Sequence, residues 1–377
     1  MGERKKMKKV LVTGAKGFIG KNLVLELKNR KVYEVFECDV DTTEEQLAQF
    51  AKECEFVFHL AGVNRPQRTE EFMEGNYGFT TKLLEILQKN GNMSPILMSS
   101  SIQAKLDNDY GKSKKAGEDY ILDYGSKNSI ATYVFRLPNV YGKWCRPNYN
   151  SAIATFCNNI ARGLEIKVND RSTLLTVVYI DDVVNAFIDA TDGIVARDDD
   201  GYCKVSIEDK ITLGEIVDTL YSFKDSRKTL SVANMNRGVI KKLYSTYLSY
   251  LPEDEFAYDL RMNADARGSF TEFLRTDGQG QVSINISKPH IVKGNHWHHT
   301  KNEKFLVVKG TGVIRFRKIG TDKVIEYHVS GDKLQVVDIP CGYTHNIENV
   351  GDDDMVTVMW ANEPFDKDRP DTFYEEV

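Results

Sequence analysis

The sequence has no long apolar stretch: its uninterrupted apolar runs are a handful of residues, far short of the ~20 that a membrane-spanning helix needs. It has no CxxC pair either. The six cysteines (Cys38, Cys54, Cys145, Cys157, Cys203 and Cys341) are scattered, which reads as reduced thiols used for packing rather than a disulfide framework. Basic charge is not in excess. Fifty Lys and Arg against 55 Asp and Glu give a formal charge of −5, so a nucleic-acid binder is not expected. The charged start Met1-Gly-Glu-Arg-Lys-Lys-Met7 has no apolar signal-peptide core behind it, and a cytoplasmic location is the expectation. Low-complexity linkers and internal repeats are missing too. What remains is an ordinary globular composition, 41% hydrophobic and 28% charged. At 377 residues it is long enough for two or three domains.

The first part of the chain alternates short apolar runs with longer amphipathic ones. Strands are expected at Lys9–Thr13, Tyr33–Glu37, Glu55–His59, Pro95–Ser99 and Ala131–Arg136. Helices are expected at Phe18–Lys28, Thr43–Ala51, Thr80–Lys89, Lys112–Asp123 and, after an Asp- and Gly-rich break at Asp192–Gly201, Leu213–Phe223. Such alternation implies an α/β unit with a parallel sheet covered on both faces. Beyond Pro252 the rhythm changes. Short β-type runs at Gln281–Ile286, Lys304–Val308, Gly312–Lys318, Lys323–Val329, Lys333–Ile339 and Met355–Trp360 are separated by turn residues, the pattern of a sandwich or barrel. The expected boundary lies between Tyr244 and Met262, with domains at 1–252 and 253–377.

Directly after the first strand comes Gly14-Ala-Lys16-Gly17-Phe18-Ile19-Gly20. Glycines at this spacing, between a strand and a helix, let a backbone turn tightly and a pyrophosphate approach the helix N-terminus. The second strand runs into Asp39 and Asp41. An acid there usually binds the ribose hydroxyls of NAD, and it would repel the 2′-phosphate of NADP. Lys16, inside the loop, could instead pair with that phosphate, so the choice of cofactor stays open. Further on, Tyr110-Gly-Lys-Ser-Lys114 places a phenol and an ammonium on one helical face. The lysine charge is expected to lower the tyrosine pKa and let Tyr110 pass a proton. The run Ser99-Ser100-Ser101 ends the preceding strand and offers a hydroxyl to a substrate carbonyl.

TGAKGFIG, FHLAGVNRP, MSSSIQA, YGKSK, FRLPNVYG and VVYIDDVV together resemble the extended short-chain dehydrogenase/reductase family over roughly residues 8–190. The resemblance implies a Rossmann-type doubly wound parallel sheet. Tyr110 would be the acid, Lys114 its partner and Ser101 the carbonyl-binding hydroxyl, with Ser100 the alternative. Gly14, Lys16, Gly17, Phe18, Ile19, Gly20, Asp39, Ala61, Gly62 and Leu137 would line the cofactor, together with Tyr110 and Lys114. Arg136 and Asn139 would border the substrate. Only some twenty residues separate Val35 from Phe58, which leaves little room for the family's usual third strand.

A second constellation lies near the other end. His296-Trp-His298-His299-Thr-Lys-Asn-Glu303 is followed at a distance by Pro340-Cys-Gly342-Tyr-Thr-His345-Asn-Ile-Glu-Asn349. On a strand, His296 and His298 share a face. Three imidazoles and a carboxylate suit Zn²⁺, and also Fe, Mn or Ni. The two stretches resemble the paired motifs of the cupin barrels, which implies an all-β cupin with metal ligands His296, His298, Glu303 and His345. The stretch Asp265-Ala-Arg-Gly268-Ser-Phe-Thr-Glu272 resembles the opening of cupin-type deoxysugar 3,5-epimerases, which remove a proton beside a ketone. Their histidine base would fall on His296, already a metal ligand here, so the base is left open.

Taken together, the chain resembles the bacterial capsular-polysaccharide enzymes that join a short-chain reductase to a cupin. That resemblance implies C3 epimerisation and C4 reduction of a UDP-2-acetamido-2,6-dideoxy-4-hexulose, giving UDP-N-acetyl-6-deoxytalosamine. It implies NADPH (NADH not excluded), Zn²⁺ in the cupin, a homodimer, and no membrane or nucleic-acid partner. A dehydratase or 4-epimerase with retained NAD and a regulatory cupin is the alternative. Against it, Ser101-Ile-Gln lacks the acidic pair that dehydratases place after the catalytic hydroxyl. A non-catalytic nucleotide sensor is opposed by the intact Tyr110–Lys114 pair.

Overall fold

In a strand buried on both sides, successive apolar residues face opposite layers. The structure, a computed structural model, describes residues 6–377 apart from 277, 279 and 365. It divides into two units, Met1–Leu220 with Lys242–Leu251, and Tyr221–Lys241 with Pro252–Val377.

The first unit opens with β1 (Lys8–Thr13), α1 (Phe18–Arg30), β2 (Tyr33–Cys38), α2 (Glu44–Glu53), β3 (Phe56–His59), α3 (Glu70–Met73), α4 (Phe79–Lys89), β4 (Ile96–Ser101), α5 (Asp109–Asn128) and β5 (Thr132–Leu137). Val10 and Val12 of β1, Phe56 and Phe58 of β3, and Leu97 of β4 enter one buried cluster, with Leu23 and Leu27 of α1. Leu11, Val57, Ile96 and Met98 turn the other way, onto Leu47 of α2, Leu83 and Leu87 of α4, and Ile121 of α5. The sheet order begins β2-β1-β3-β4-β5, all parallel. β2 is therefore the outer strand next to β1, and among the described residues no strand lies beyond it. This is what the short Val35–Phe58 interval implied. The order reverses between β1 and β3, which opens a crevice at their carboxyl ends.

The chain continues through β6 (Asn139–Tyr141), α6 (Ala152–Ala161), β7 (Leu174–Tyr179), α7 (Ile180–Asp189), β8 (Ala196–Arg197), β9 (Cys203–Lys204), β10 (Asp209–Thr212), α8 (Leu213–Thr229), β11 (Ser231–Val232) and α9 (Gly238–Leu248). The pattern analysis assigned no element to α6, β7, α7 or α9. Val183, Val184 and Phe187 of α7 complete the first core cluster.

The second unit holds β12 (Asn263–Asp265), β13 (Gly268–Thr276), β14 (Gly280–Ser287), β15 (Val292–Trp297), β16 (Glu303–Lys309), β17 (Thr311–Lys318), β18 (Val324–Ser330), β19 (Val336–Ile339), β20 (Tyr343–Asn349), β21 (Met355–Ala361) and β22 (Phe373–Tyr374). One sheet runs β11-β13-β14-β21-β16-β19, with β12 on β13, and the other β18-β17-β20-β15-β22. Phe305 and Val307 from the first sheet pack with Ile314, Phe316 and Ile347 from the second, so the two sheets close over a shared core. Strands β13, β15 and β20 lay outside the expected β-runs. Each mixes polar and chemistry-bearing residues with few apolar ones, which hides the period of two.

Candidate functional site

The loop after β1 is shaped by close approach. Gly14 has φ +68°, and a Cβ there would sit 2.8–2.9 Å from the backbone of Ala61. Only glycine brings the two strand ends of the crevice this close. Helix α1 then starts at Phe18 behind Gly17, with no side-chain cap, so its first N–H groups are left for an anion. The side chains of Phe18 and Ile19 pack against the core. Asp39 accepts from the backbone N–H of Lys16 at 2.7 Å and from Val40 at 2.9 Å. The Lys16 ammonium pairs with Asp41.

Ser101, at the end of β4, and Tyr110, in the first turn of α5, are hydrogen-bonding neighbours. Burial raises the phenol pKa above its ordinary value, only partly countered by the Ser101 hydrogen bond. The expectation that Lys114 lowers it is not met. Lys114 is buried and donates from Nζ to the Ser99 carbonyl at 3.0 Å. Burial brings its own pKa down to about 8, against the pull of Glu118. Tyr110 therefore holds its proton at neutral pH, the state a proton donor to a reduced ketone needs. Gly62 is packed against this group: a Cβ there would lie 2.7 Å from Asn76 Oδ1 and 3.4 Å from Lys114 Nζ. Leu137, at the end of β5, is buried.

Strand alternation gives the two serines different neighbours. Ser100 points inward and donates to Glu118 Oε1 at 2.6 Å; Ser101 is left facing Tyr110. Glu118 also takes both guanidinium arms of Arg136, at 3.0 and 2.7 Å, and Tyr202 stacks on that guanidinium at 3.5 Å. Arg136, expected to border the substrate, commits its charge to a buried pair that joins α5 to β5. Asn139 is exposed and donates to the Thr176 carbonyl at 3.1 Å. Glu118 was missed, although Tyr110, Lys114 and Glu118 recur at four-residue spacing on one helical face.

His59 was also missed as a structural residue. Its ring nitrogens lie 2.8 Å from the hydroxyls of Thr13 and of Thr80. Burial, and then the charge of Lys114, lower its pKa from 6.5 to about 3. The unfolded chain therefore takes up this proton first as pH falls. The stability it supports is full above the unfolded value and is lost as pH falls from 6.5 toward 3, by up to about 1.4 kcal/mol per unit. Urea unfolding between about pH 7.5 and 5 should show a smaller pH dependence in His59→Asn than in the wild type.

In the second unit, His296, His298, Glu303 and His345 offer ligand atoms that all lie within 4.8 Å of one another. His296 and His345 are register partners on β15 and β20, while Glu303 opens β16 in the other sheet. A bulge between Gly294 and His296 turns β15 here. Gly294 has φ +107°, and a Cβ there would meet the His345 carbonyl at 2.8 Å. His298 lies just past the strand end, with its Nδ1 2.6 Å from the Asp371 carbonyl. His299 is not in the group; its ring packs on Trp297 and Phe373.

These residues fit a cation. Nε2 of His298, Oε2 of Glu303 and both ring nitrogens of His345 are buried without a hydrogen-bond partner, a costly arrangement unless something positive satisfies them. The Glu303 oxygen stands 3.6 Å from His298 Nε2 and 3.4 Å from His345 Nε2. Burial alone would raise the Glu303 pKa; the two imidazoles beside it outweigh burial and hold the carboxyl well below its ordinary range. Burial, with His345 and His298 alongside, brings His296 down to about 4, so it is neutral at physiological pH, as a ligand must be.

His296, Glu303 and His345 form one wall of a cleft of about 630 Å³, which Asp265, Arg267, Asn285 and Lys293 also line. The Lys293 ammonium bonds only neutral acceptors, Asn285 Oδ1 and the Ile286 carbonyl, both at 2.8 Å. Burial lowers its pKa. Sequence reading passed over Lys293, since a lone lysine before Gly294-Asn-His296 has no distinguishing pattern.

Comparison with known proteins follows the two units. Residues 10–198 match the NAD dependent epimerase/dehydratase family, and residues 263–373 the polysaccharide biosynthesis C-terminal domain. The chain is 47% identical over 365 residues to the UDP-2-acetamido-2,6-beta-L-arabino-hexul-4-ose reductase of Pseudomonas aeruginosa, covering 97% of this chain and 98% of that one. It is 54% identical to the crystal structure of the capsular polysaccharide assembling protein CapF from Staphylococcus aureus, with a TM-score of 0.93 over 98% of this chain and all of that one. A CapF structure with the inhibitor 3-isopropenyl-tropolone matches at 50% identity and a TM-score of 0.89, over 98% of this chain and 100% of that one.

Proposed function

Because the chain belongs to the NAD dependent epimerase/dehydratase family, we propose that it is a bifunctional sugar-nucleotide enzyme. Its first unit reduces the C4 ketone of a UDP-linked 2-acetamido-2,6-dideoxy-4-hexulose, and its second inverts the neighbouring C3. The observation that carries the reduction is Tyr110, kept protonated by burial and hydrogen-bonded to Ser101, in a chain alike from end to end to a 4-ketosugar reductase. The nicotinamide cofactor, when bound, supplies hydride to C4. Ser101 holds the ketone oxygen, Tyr110 gives that oxygen its phenolic proton, and Lys114 supports the phenolate left behind. The product is a UDP-N-acetyl-6-deoxytalosamine for capsular polysaccharide.

NADPH is the proposed donor over NADH. The Asp39 carboxylate is engaged by the glycine loop's own backbone, and Lys16, now paired with Asp41, is proposed as the cation that meets a 2′-phosphate. In the second unit, His296, His298, Glu303 and His345 would hold a divalent cation, zinc by its donor set, which polarises a ketone and stabilises charge on its oxygen. A tropolone carries two adjacent oxygen donors, the chemistry of a metal chelator, and the inhibited CapF relative is in keeping with this. Lys293, unpaired with any carboxylate within salt-bridge distance among the described residues, is proposed as the group that in its neutral amine form, favoured by burial, takes the C3 proton, and a proton from solvent then adds at the opposite face. A homodimer is proposed as the assembly. No helix among the described residues is long and apolar enough to cross a membrane.

The test is an NMR reading of the product formed in D₂O from the UDP-4-keto sugar and NADPH. Deuterium at C3 with light hydrogen at C4 is expected; reduction without C3 exchange would remove the isomerising role from the second unit. With NADPH omitted, Lys293→Met should slow C3 exchange by about 100-fold or more while leaving NADPH affinity unchanged.

A further inference from the structure

Asp371 lies seventy-three residues from His298 in sequence, yet its carbonyl touches that ligand and its carboxylate holds the loop that follows it. Its carboxylate closes the loop between His298 and Glu303. Oδ1 accepts from the His299 N–H at 3.0 Å. Oδ2 accepts from the Thr300 and Lys301 N–H groups, both at 2.9 Å, and from the Thr300 hydroxyl at 3.1 Å. Its own carbonyl meets His298 Nδ1 at 2.6 Å. The residue sits at φ +36°, a conformation that persists only where surrounding structure over-determines it.

The residues that follow tie the same region down. Phe373 and Tyr374 form β22 and pair with Trp297 and His296. The Glu375 N–H donates to the Asn295 carbonyl at 3.0 Å, and the Thr344 hydroxyl, next to His345, donates to the Glu375 carbonyl. Arg317 holds the Glu375 carboxylate at 2.8 Å.

A histidine that binds a metal through one nitrogen keeps its proton on the other, and the partner of that N–H sets both tautomer and ring rotation. With Nδ1–H given to the Asp371 carbonyl, the lone pair of His298 Nε2 is turned to Glu303, 3.6 Å away. The carboxylate of the same residue fixes the backbone that joins these two ligands. We propose that Asp371 is a positioning residue of the metal centre: through its carbonyl it orients His298, and through its carboxylate it sets the loop that spaces His298 from Glu303. The inference rests on the metal reading of the four-residue group.

Cobalt(II) titration of the metal-free full-length protein tests it, read by affinity and by the visible absorption of the bound ion. Asp371→Gly keeps the left-handed backbone and removes the carboxylate. Asp371→Asn keeps the shape and puts an amide against three N–H donors. Both should bind Co²⁺ about 10–100-fold more weakly than the wild type with an altered absorption band, while NADPH affinity is unchanged. If Asp371→Gly fails to fold, Asp371→Asn alone decides. Wild-type affinity and spectrum in the variants, even with a lowered melting temperature, would overturn the proposal and leave Asp371 a stabilising residue only. A wild-type protein that binds no Co²⁺ or Zn²⁺ would overturn the metal reading itself, and that outcome is separate because it appears before any substitution.

Discussion

Tyr110→Phe loses NADPH oxidation driven by the 4-keto sugar by about 10²–10⁴-fold, the usual contribution of a positioned proton donor. The reason lies in the reaction's charge. Hydride arriving at C4 leaves an alkoxide, and without the phenol no group beside Ser101 delivers a proton to it. Phenylalanine keeps the ring against Phe72, whose centroid lies 5.6 Å from that of Tyr110, so packing changes little. NADPH affinity should stay within a few-fold, since the glycine loop, Gly62 and Lys114 are untouched. Stopped-flow absorbance with a parallel fluorescence titration separates the two. A full oxidation rate in Tyr110→Phe would mean that another group gives the proton. Loss of both rate and NADPH binding would mean that the substitution had disturbed the crevice instead.

His345→Ala loses the divalent cation, with affinity falling by more than about 100-fold, the upper end of what a lost outer-shell partner costs. The imidazole is 1% exposed and has no hydrogen-bond partner on either nitrogen. The protein therefore retains a buried polar ring with no other visible use, and removing it leaves a site of three ligands. Metal analysis after dialysis reads the loss directly. Thermal unfolding gives a second reading: a chelator should lower the melting temperature of the wild type and leave that of His345→Ala unmoved, because a ligand stabilises only the state that binds it. NADPH affinity should not change, as every residue assigned to the dinucleotide lies in the other unit. Glu303→Gln, which alters charge with little change of shape, guards against the cavity that His345→Ala opens; it should lose metal as well.

Much of this molecule is legible in local pattern. The alternation of strands and helices to about residue 137 is readable because its inner strands bury short continuous apolar runs, and β1 shows it plainly with Val10, Leu11 and Val12 split between two layers. The glycine loop is readable because its constraint is local: Gly14 must turn and must admit Ala61. The four metal-ligand candidates are readable because imidazoles and a carboxylate at strand spacing have few other uses. Strands β13, β15 and β20 are not readable in this way. β15 and β20 carry candidate metal ligands, and in all three strands polar residues displace the apolar signal on which periodicity depends.

The sequence by itself determined the kinds of chemistry available: a phenol and lysine on one helical turn, a glycine-rich loop at a strand end, and three histidines with a glutamate. Only the tertiary structure decided how they are used. It turned Ser100 to Glu118 and left Ser101 to Tyr110. It diverted Arg136 into a buried pair, and burial, not the neighbouring lysine, set the state of the phenol. It brought candidate ligands from two sheets together and supplied Lys293 and Asp371 beside them. The physical reason is range. Periodicity and glycine placement act over a few residues, whereas desolvation, ion pairing and the meeting of strands depend on which distant segment arrives, and no short window of sequence encodes that.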